Sequence, residues 1–309
     1  MKSVQNKYEG SLYKLETREE IFFLFIHIYL WLLIIVISGE ENTVLKGFNI
    51  SRFLLFPGRK LYGFLVEAEP KPGVLSRISA VSARHNVVIL YVSYAMPPEG
   101  GENIVGLSFV DLTDADVSAE ELVDEVRRVK GVKDVKVISP KIEGFIADDF
   151  SGILRMGDDR CIILRRQGYR GLITNIRERF GSGGEAFLYY IGFETGIEYG
   201  KSHKEIGLKL GVVDPIKIYR DISASLFNSV GFGRMEVVKI SANPLEATIR
   251  VYDSFECELG LEAGKPYSHL IRGMRAGVLT ALFNRRMKAE ETECIAKGDP
   301  YCEFTIKPI

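Results

Sequence analysis

The spacing of hydrophobic and polar positions changes several times between residues 61 and 139, which predicts alternating strands and helices. Runs of β-branched and aromatic residues predict strands, and apolar residues three or four apart predict helices. The second helix should begin at a capping box formed by Ser118 and Glu121. The predicted strands cover 61–69, 87–95, 103–112 and 132–139, and the predicted helices cover 71–86 and 117–131. This βαββαβ order builds an antiparallel sheet of the ferredoxin-like type with both helices on one face.

Longer helical patterns follow a connector predicted at 140–150. Two helices are expected over 172–211 with a break near the glycines at 181–184, and a further helix should begin at Pro215. The remaining elements are strands at 235–241 and 246–253, a helix at 266–287, and a hairpin around the Gly-Asp-Pro turn at 298–300. Helices combined with these strands predict an α+β domain.

Glycines recur along one stripe of two predicted helices, at Gly192, Gly196 and Gly200 and again at Gly273 and Gly277. Each glycine costs a helix about 1 kcal/mol relative to alanine, so a compensating contact is expected. Two explanations stay open, which are close packing of the helices and a groove for a ligand.

The apolar run at 187–193 is hydrophobic over most of the helix circumference. Such a helix is buried on several sides or lines an apolar cavity. We therefore predict a cavity for a hydrophobic molecule. Its expected ligand-binding residues are Phe187, Tyr190, Gly192, Phe193, Gly196, Gly273 and Gly277.

Composition narrows the functional classes. With 309 residues and 46% hydrophobic residues, the chain is long enough for two domains. A formal net charge of −1, without a basic stripe, argues against direct nucleic-acid binding. Four cysteines in a chain of this length indicate a reducing compartment and a cytoplasmic location.

Residues 21–39 form an uncharged apolar run, which is about the length that a transmembrane helix needs. Basic residues flank the run on both sides, so the positive-inside rule selects no orientation. Two interpretations of residues 1–45 stay open: a membrane anchor that tethers the protein, and a translation start assigned too far upstream.

The stretch "EPKPGVLSRI" and the element order across 58–140 resemble an ACT domain, a regulatory module that often binds amino acids. The resemblance implies an effector site at the loop of Pro72, Gly73 and Val74, where glycine would let a backbone amide approach the effector. In the alternative interpretation, Gly73 only shapes the turn and the domain only dimerises.

The ending "ETECIAKGDPYCEF", together with "GSGGEAFLYYIGFETG" and "HLIRGMRAGVL", resembles the 4-vinyl reductase domain family. The resemblance covers residues 146–309 and implies the fold of the Golgi transport-particle subunits. That family includes aromatic-sensing domains of bacterial activators and archaeal proteins predicted to bind hydrocarbons. A bound small hydrophobic molecule and a homodimer are therefore expected.

The same resemblance implies a zinc site. Sensor members of the family hold zinc with the glutamate and two cysteines of this motif, here Glu291, Cys294 and Cys302. Their fourth ligand is a cysteine at the start of the preceding helix, where this chain has Ser268, a poor zinc ligand. His269 or Cys257 could replace it. The alternatives are an empty site with buried thiols and a redox-sensitive cysteine pair.

These features together predict a ligand-sensing regulatory protein that acts through an unnamed downstream partner. The alternatives are an accessory enzyme or factor in vinyl or tetrapyrrole reduction and a dimeric scaffold without a ligand. The sequence shows no dinucleotide or phosphate-binding motif, so we expect no catalytic residues. Cys161 is expected in the core, and His85 and His203 are expected in surface or capping roles.

Overall fold

The computed structural model describes residues 47–96 and 101–309. The apolar segment 21–39 lies outside the described residues, as does most of the turn predicted at 97–101. Within the described ranges, no helix is both long and apolar enough to cross a membrane. The chain divides into two compact units, one ending at Cys161 and one covering Ile162–Ile309.

The first unit contains the predicted βαββαβ order. Its four long strands form one antiparallel sheet in the order β3-β4-β2-β5. Its main elements are β2 (Leu61–Ala68), α1 (Val74–Arg84), β3 (Val88–Ala95), β4 (Ile104–Asp111), α2 (Ala119–Arg127) and β5 (Val132–Ile138). The ferredoxin-like prediction is confirmed.

Alternating residues of β2 face two different cores. Phe64 and Val66 pack with Ile78 of α1 and Leu122 of α2, whereas Leu61 faces a smaller cluster on the other side of the sheet. The capping box of α2 forms as predicted, since the Glu121 amide donates to Ser118 Oγ at 3.2 Å and the Ser118 amide donates to Glu121 Oε2 at 2.9 Å.

The first unit extends on both sides of the predicted range 58–140. Strands β1 (Phe53–Leu55) and β6 (Phe145–Ala147) pair antiparallel, and Leu54 and Ile146 cover the second face of the sheet. The prediction that 140–150 only connects two domains was wrong, because β6 lies within it. A strand of three residues is too short to show the alternation of apolar and polar residues that predicts longer strands. A short hairpin follows, formed by β7 (Leu154–Met156) and β8 (Asp159–Cys161).

The second unit is α+β, as predicted, with a four-stranded antiparallel sheet in the order β11-β12-β10-β9. Its helices are α3 (Arg166–Phe180), α4 (Ser182–Lys209), α5 (Pro215–Lys217), α6 (Ala224–Ser229) and α7 (His269–Phe283). A π-helical segment (Ile218–Ser223) joins α5 to α6, and 3-10 turns cover Cys257–Gly260 and Ile295–Lys297. Its strands are β9 (Arg234–Ala242), β10 (Leu245–Tyr252), β11 (Met287–Glu293) and β12 (Cys302–Pro308).

Helices α4 and α7 approach each other so closely that their backbones touch. A Cβ atom at Gly192 would overlap the carbonyl oxygen of Leu270, and one at Gly273 would overlap that of Tyr189. Gly196 and Gly277 make the same kind of contact further along the two helices. The glycine stripes therefore form a helix–helix contact, which compensates their low helix propensity with close packing.

Two predicted helix boundaries differ from the structure. The helix predicted at 266–287 ends at Phe283, because Asn284 takes a left-handed conformation with φ of 51°. Met287 then starts β11. The helix predicted from Pro215 is interrupted by the π-helical segment, a distortion that hydrophobic spacing does not reveal.

Candidate metal centre

Four side chains of the second unit point their donor atoms at one another. The donor atoms of Cys257, Glu291, Cys294 and Cys302 all lie within 4.8 Å of one another. The Sγ atoms of Cys294 and Cys257 are 3.6 Å apart, and those of Cys302 and Cys294 are 4.0 Å apart. A tetrahedral zinc ion with Zn–S bonds of about 2.3 Å would separate two sulfurs by about 3.8 Å. The cluster thus has the dimensions of a four-coordinate metal site.

Local turns place these donors. Cys257 begins the 3-10 turn that follows β10, Glu291 lies in β11, and Cys302 is the first residue of β12. Between the last two strands, Gly298 takes a φ of 96°, which closes the Gly-Asp-Pro turn. The Asp299 carboxylate accepts a hydrogen bond from the Cys294 amide at 2.7 Å. This turn therefore fixes the backbone beside one of the sulfurs.

The donors are buried and poorly satisfied by the rest of the described chain. The three cysteines have no exposed surface, and Glu291 Oε1 is buried without a hydrogen-bond partner. Burial raises the pKa of Glu291 to about 9. Hydrogen bonds with the other two thiols raise the pKa of Cys257 and lower the pKa of Cys302 to about 4. An orphaned carboxylate oxygen among three thiols fits a soft divalent cation.

The other two predicted donors have different roles. Ser268 reaches the cluster through its backbone amide, which donates to Glu291 Oε2 at 3.1 Å, and its buried Oγ has no partner within the described chain. His269 lies outside the four-donor group, since its Nδ1 accepts from Arg177 at 3.2 Å. Burial, followed by the charges of neighbouring arginines, lowers the pKa of His269 to about 4.

A buried ion pair beside the cluster was not predicted. Arg177 of α3 donates to Glu256 Oε1 at 2.6 Å and to the Tyr267 carbonyl at 2.6 Å. Glu256 also accepts from the amides of Leu270 and Ile271 at 3.0 and 2.9 Å, and so caps α7. Because Glu256 precedes Cys257 in the chain, the pair also positions the thiol of Cys257. No local sequence pattern marks a carboxylate that caps a helix from a distant segment.

The predicted ligand-binding residues lie in different environments. Phe187 and Tyr190 are 55% and 57% exposed, while Phe193 is buried against α7. The four predicted glycines are occupied by the contact between α4 and α7. For these glycines the packing explanation is confirmed, while ligand binding by the predicted residues stays a prediction. The apolar run from Cys161 is also not core, since Ile162 is 85% exposed.

The predicted effector loop is partly at the surface. Pro72 and Gly73 are exposed, and Gly73 has a φ of 80° at the start of α1. Val74 is only 1% exposed, and its amide donates to the Lys71 carbonyl at 3.3 Å. Its side chain packs in the core and its amide is already paired, so Val74 is not placed to contact an effector.

Comparison with known proteins places the four donors in a recognised family region. The V4R domain family matches residues 247–308, which include every donor of the cluster. An uncharacterised protein of Methanocaldococcus jannaschii is 29% identical over 133 residues, 43% of this chain and 70% of that protein. The predicted resemblance of the C-terminal half to the 4-vinyl reductase family is confirmed.

Solved structures resemble each unit separately. The phenol-responsive sensory domain of the transcription activator PoxR, solved with phenol, aligns with 51% of this chain and 81% of its own, at 20% identity and a TM-score of 0.47. A vinyl-4-reductase family protein from Methanocaldococcus jannaschii aligns with 49% of this chain and 85% of its own, at 22% identity and a TM-score of 0.33. The ACT domain of a GTP pyrophosphokinase from Chlorobium tepidum aligns with 26% of this chain and 99% of its own, at 18% identity and a TM-score of 0.21.

Proposed function

We propose that this chain is a ligand-responsive regulatory protein whose C-terminal unit holds one zinc ion and binds a small hydrophobic molecule. The observation that carries the proposal is the convergence of Cys257, Glu291, Cys294 and Cys302 within a region that matches the V4R domain family. Three thiols and one carboxylate suit zinc, which favours sulfur donors and tetrahedral geometry.

The zinc site is proposed to be structural. Four protein donors fill a tetrahedral coordination sphere, whereas catalytic zinc keeps one position open for water or substrate. Zinc bound there would connect the turn after β10 to the β11–β12 hairpin and stabilise the fold. This argument favours a regulatory protein over an accessory enzyme of vinyl or tetrapyrrole reduction.

Two further parts of the proposal concern effectors and assembly. The exposed Gly73, at the start of α1, leaves backbone accessible for a second effector such as an amino acid.

A homodimer is supported by exposed apolar side chains on α4, where Phe187, Tyr190 and Ile191 are all at least 38% exposed. Apolar surface of this kind is stabilised by a protein partner.

Native mass spectrometry of the full chain, purified without chelator or added metal, tests the proposal. We expect one zinc ion per chain, a retained small molecule that organic solvent extracts, and a dimer mass. Cys257→Ala should lose the zinc because it removes one of four donors. Cys161→Ala is the matched control and should keep the zinc, since Cys161 lies outside the cluster.

Three results would contradict parts of the proposal. A metal-free chain with normal folding would remove the zinc site, and zinc retained by Cys257→Ala would remove the assignment of Cys257 as the fourth ligand. If no small molecule is retained and none of a panel of aromatic compounds raises the melting temperature, the receptor function is contradicted. The interpretation as a dimeric scaffold without a ligand would then be favoured.

A further inference from the structure

The C-terminal unit buries two arginines. The second, Arg275, has no acidic partner among the described residues. Arg275 of α7 is 1% exposed. Its Nη1 donates to the thioether of Met235 at 3.6 Å, and its guanidinium lies 4.5 Å from the ring centroid of Phe227. Its Nε has no hydrogen-bond partner among the described residues. A thioether and a ring face are weak partners for a charge that remains on arginine at all ordinary pH values.

Arg177 shows how the same unit satisfies a buried arginine elsewhere. That guanidinium pairs with Glu256 at 2.6 Å and with a backbone carbonyl at 2.6 Å. Around Arg275, by contrast, the described part of the chain places no carboxylate in an ion pair with the guanidinium, and burial lowers the pKa of Arg275. Burying an unpaired charge is strongly unfavourable, so an anion from outside the chain would be bound strongly there.

Two further buried polar side chains, Tyr219 and His203, lie near Arg275. Tyr219 lies in the π-helical segment, has no exposed surface, and its hydroxyl has no partner within the described chain. His203 of α4 was expected in a surface or capping role, but it is 6% exposed and its Nδ1 lies 2.7 Å from Ser223 Oγ. Burial lowers the pKa of His203 to about 4, so it is neutral near pH 7. π-Helical segments often occur at functional sites because they redirect side chains.

The positive charge of Arg275 and the apolar side chains around it indicate which class of ligand would fit. One permanent cation matches one negative charge, and a guanidinium binds a carboxylate through two parallel hydrogen bonds. The surrounding side chains are apolar, with Phe227 stacked on Phe232 at 5.6 Å between ring centroids. A doubly charged phosphate would leave one charge unpaired, whereas a monocarboxylate with an apolar body would match both features.

We propose that Arg275 and Tyr219 form the polar end of a binding site for a small hydrophobic monocarboxylate, between α4, α7, β9 and the π-helical segment. The carboxylate would replace the Met235 thioether as the partner of Arg275 and would accept a hydrogen bond from the Tyr219 hydroxyl. This inference rests on the proposed receptor function and specifies the chemical class of its ligand.

Isothermal titration calorimetry on the full chain tests the inference with three probes. Phenylacetate and octanoate carry the carboxylate, and 2-phenylethanol is a neutral analogue of phenylacetate. We expect phenylacetate to bind at least about tenfold more tightly than 2-phenylethanol, since a hydrogen bond to a charged group contributes more than a neutral one. The two carboxylates together show whether an aromatic or an aliphatic body is preferred.

Variants assign the effect to Arg275. Arg275→Met should remove the preference for phenylacetate over 2-phenylethanol, and Tyr219→Phe should weaken carboxylate binding several-fold. Arg285→Met, at an exposed arginine of the same unit, is the matched control and should bind as the wild type. Because Arg275→Met removes an unpaired buried charge, the free variant should melt at the same or a higher temperature. If it fails to fold, Arg275→Lys keeps the charge and should retain weaker carboxylate binding.

The outcomes separate the inference from the proposed function. Binding of 2-phenylethanol without any preference for phenylacetate would overturn the role of Arg275 and leave the receptor function standing. Carboxylate binding unchanged in Arg275→Met would also overturn it. Failure of all three probes to bind would overturn this inference, whereas the receptor function is decided separately by the retained molecule and the panel of aromatic compounds.

Discussion

Glu256 connects three segments of the C-terminal unit through one buried carboxylate. It accepts hydrogen bonds from Arg177 on α3 and from two amides at the start of α7, and it precedes the metal-site residue Cys257. Burial raises the pKa of Glu256, while Arg177 and the two amides act in the opposite direction. The carboxylate is therefore costly to bury and depends on these partners.

Arg177→Met should destabilise the protein strongly. It leaves Glu256 buried without its cationic partner, and breaking a buried pair in this way costs about 3–5 kcal/mol. The measurement is the free energy of unfolding in urea, with the metal content of each variant determined in parallel.

The double variant Arg177→Met with Glu256→Gln provides the control. Glutamine can still accept from the α7 amides without carrying a charge, so the double variant should be more stable than Arg177→Met alone. Additive losses in this double-mutant cycle would show that the two residues act independently.

The residues of the candidate metal centre were only partly predictable. The resemblance of the sequence's ending to the 4-vinyl reductase family implied Glu291, Cys294 and Cys302, whose motif lies within one hairpin. The choice among Ser268, His269 and Cys257 depended on how the segment after β10 folds back, and that is a tertiary property. Arg275 was not predicted, since a basic residue in an apolar helix gives no sign of whether it reaches solvent.

Helices α4 and α7 show what glycine spacing can and cannot predict. The regular intervals correctly indicated a stripe of close approach, but they did not distinguish a second helix from a ligand. The structure places backbone carbonyls of the partner helix over Gly192 and Gly273. Phe187 and Tyr190 lie on the exposed side of α4, although their hydrophobicity had suggested burial.

Gly192→Ala should destabilise the C-terminal unit by about 3 kcal/mol or more, at the upper end of overpacking costs, because the added methyl group overlaps backbone and not a movable side chain. The measurement is the midpoint and slope of urea unfolding followed by circular dichroism.

Gly183→Ala is the matched control within the same helix. Nothing lies within 4 Å of a Cβ atom at that position. Because alanine has a higher helix propensity than glycine, the substitution should raise the free energy of unfolding by up to about 1 kcal/mol. Equal effects of the two substitutions would contradict the packing explanation.

At the scale of the whole molecule, the two units should respond differently to metal removal. All four donors lie in the C-terminal unit, and structural zinc contributes directly to folding free energy. After zinc is removed with a strong chelator, amide hydrogen exchange should become faster across 254–308 and stay unchanged across 61–138.

Zinc content measured on the same samples provides the control for this experiment. Unchanged exchange across 287–308 after verified zinc loss would show that the site is not structural. Faster exchange in both units would show that their stabilities are linked.

The sheet of the C-terminal unit has a consequence for its synthesis. Strand β12 follows β9, β10 and β11 in the chain, yet it lies between β10 and β11 in the sheet. A nascent chain that ends before Cys302 has two strands with no partner between them and lacks one of the four donors. Strand β12 must therefore leave the ribosome before this sheet can be completed, and until then the facing edges of β10 and β11 stay unpaired and prone to aggregation.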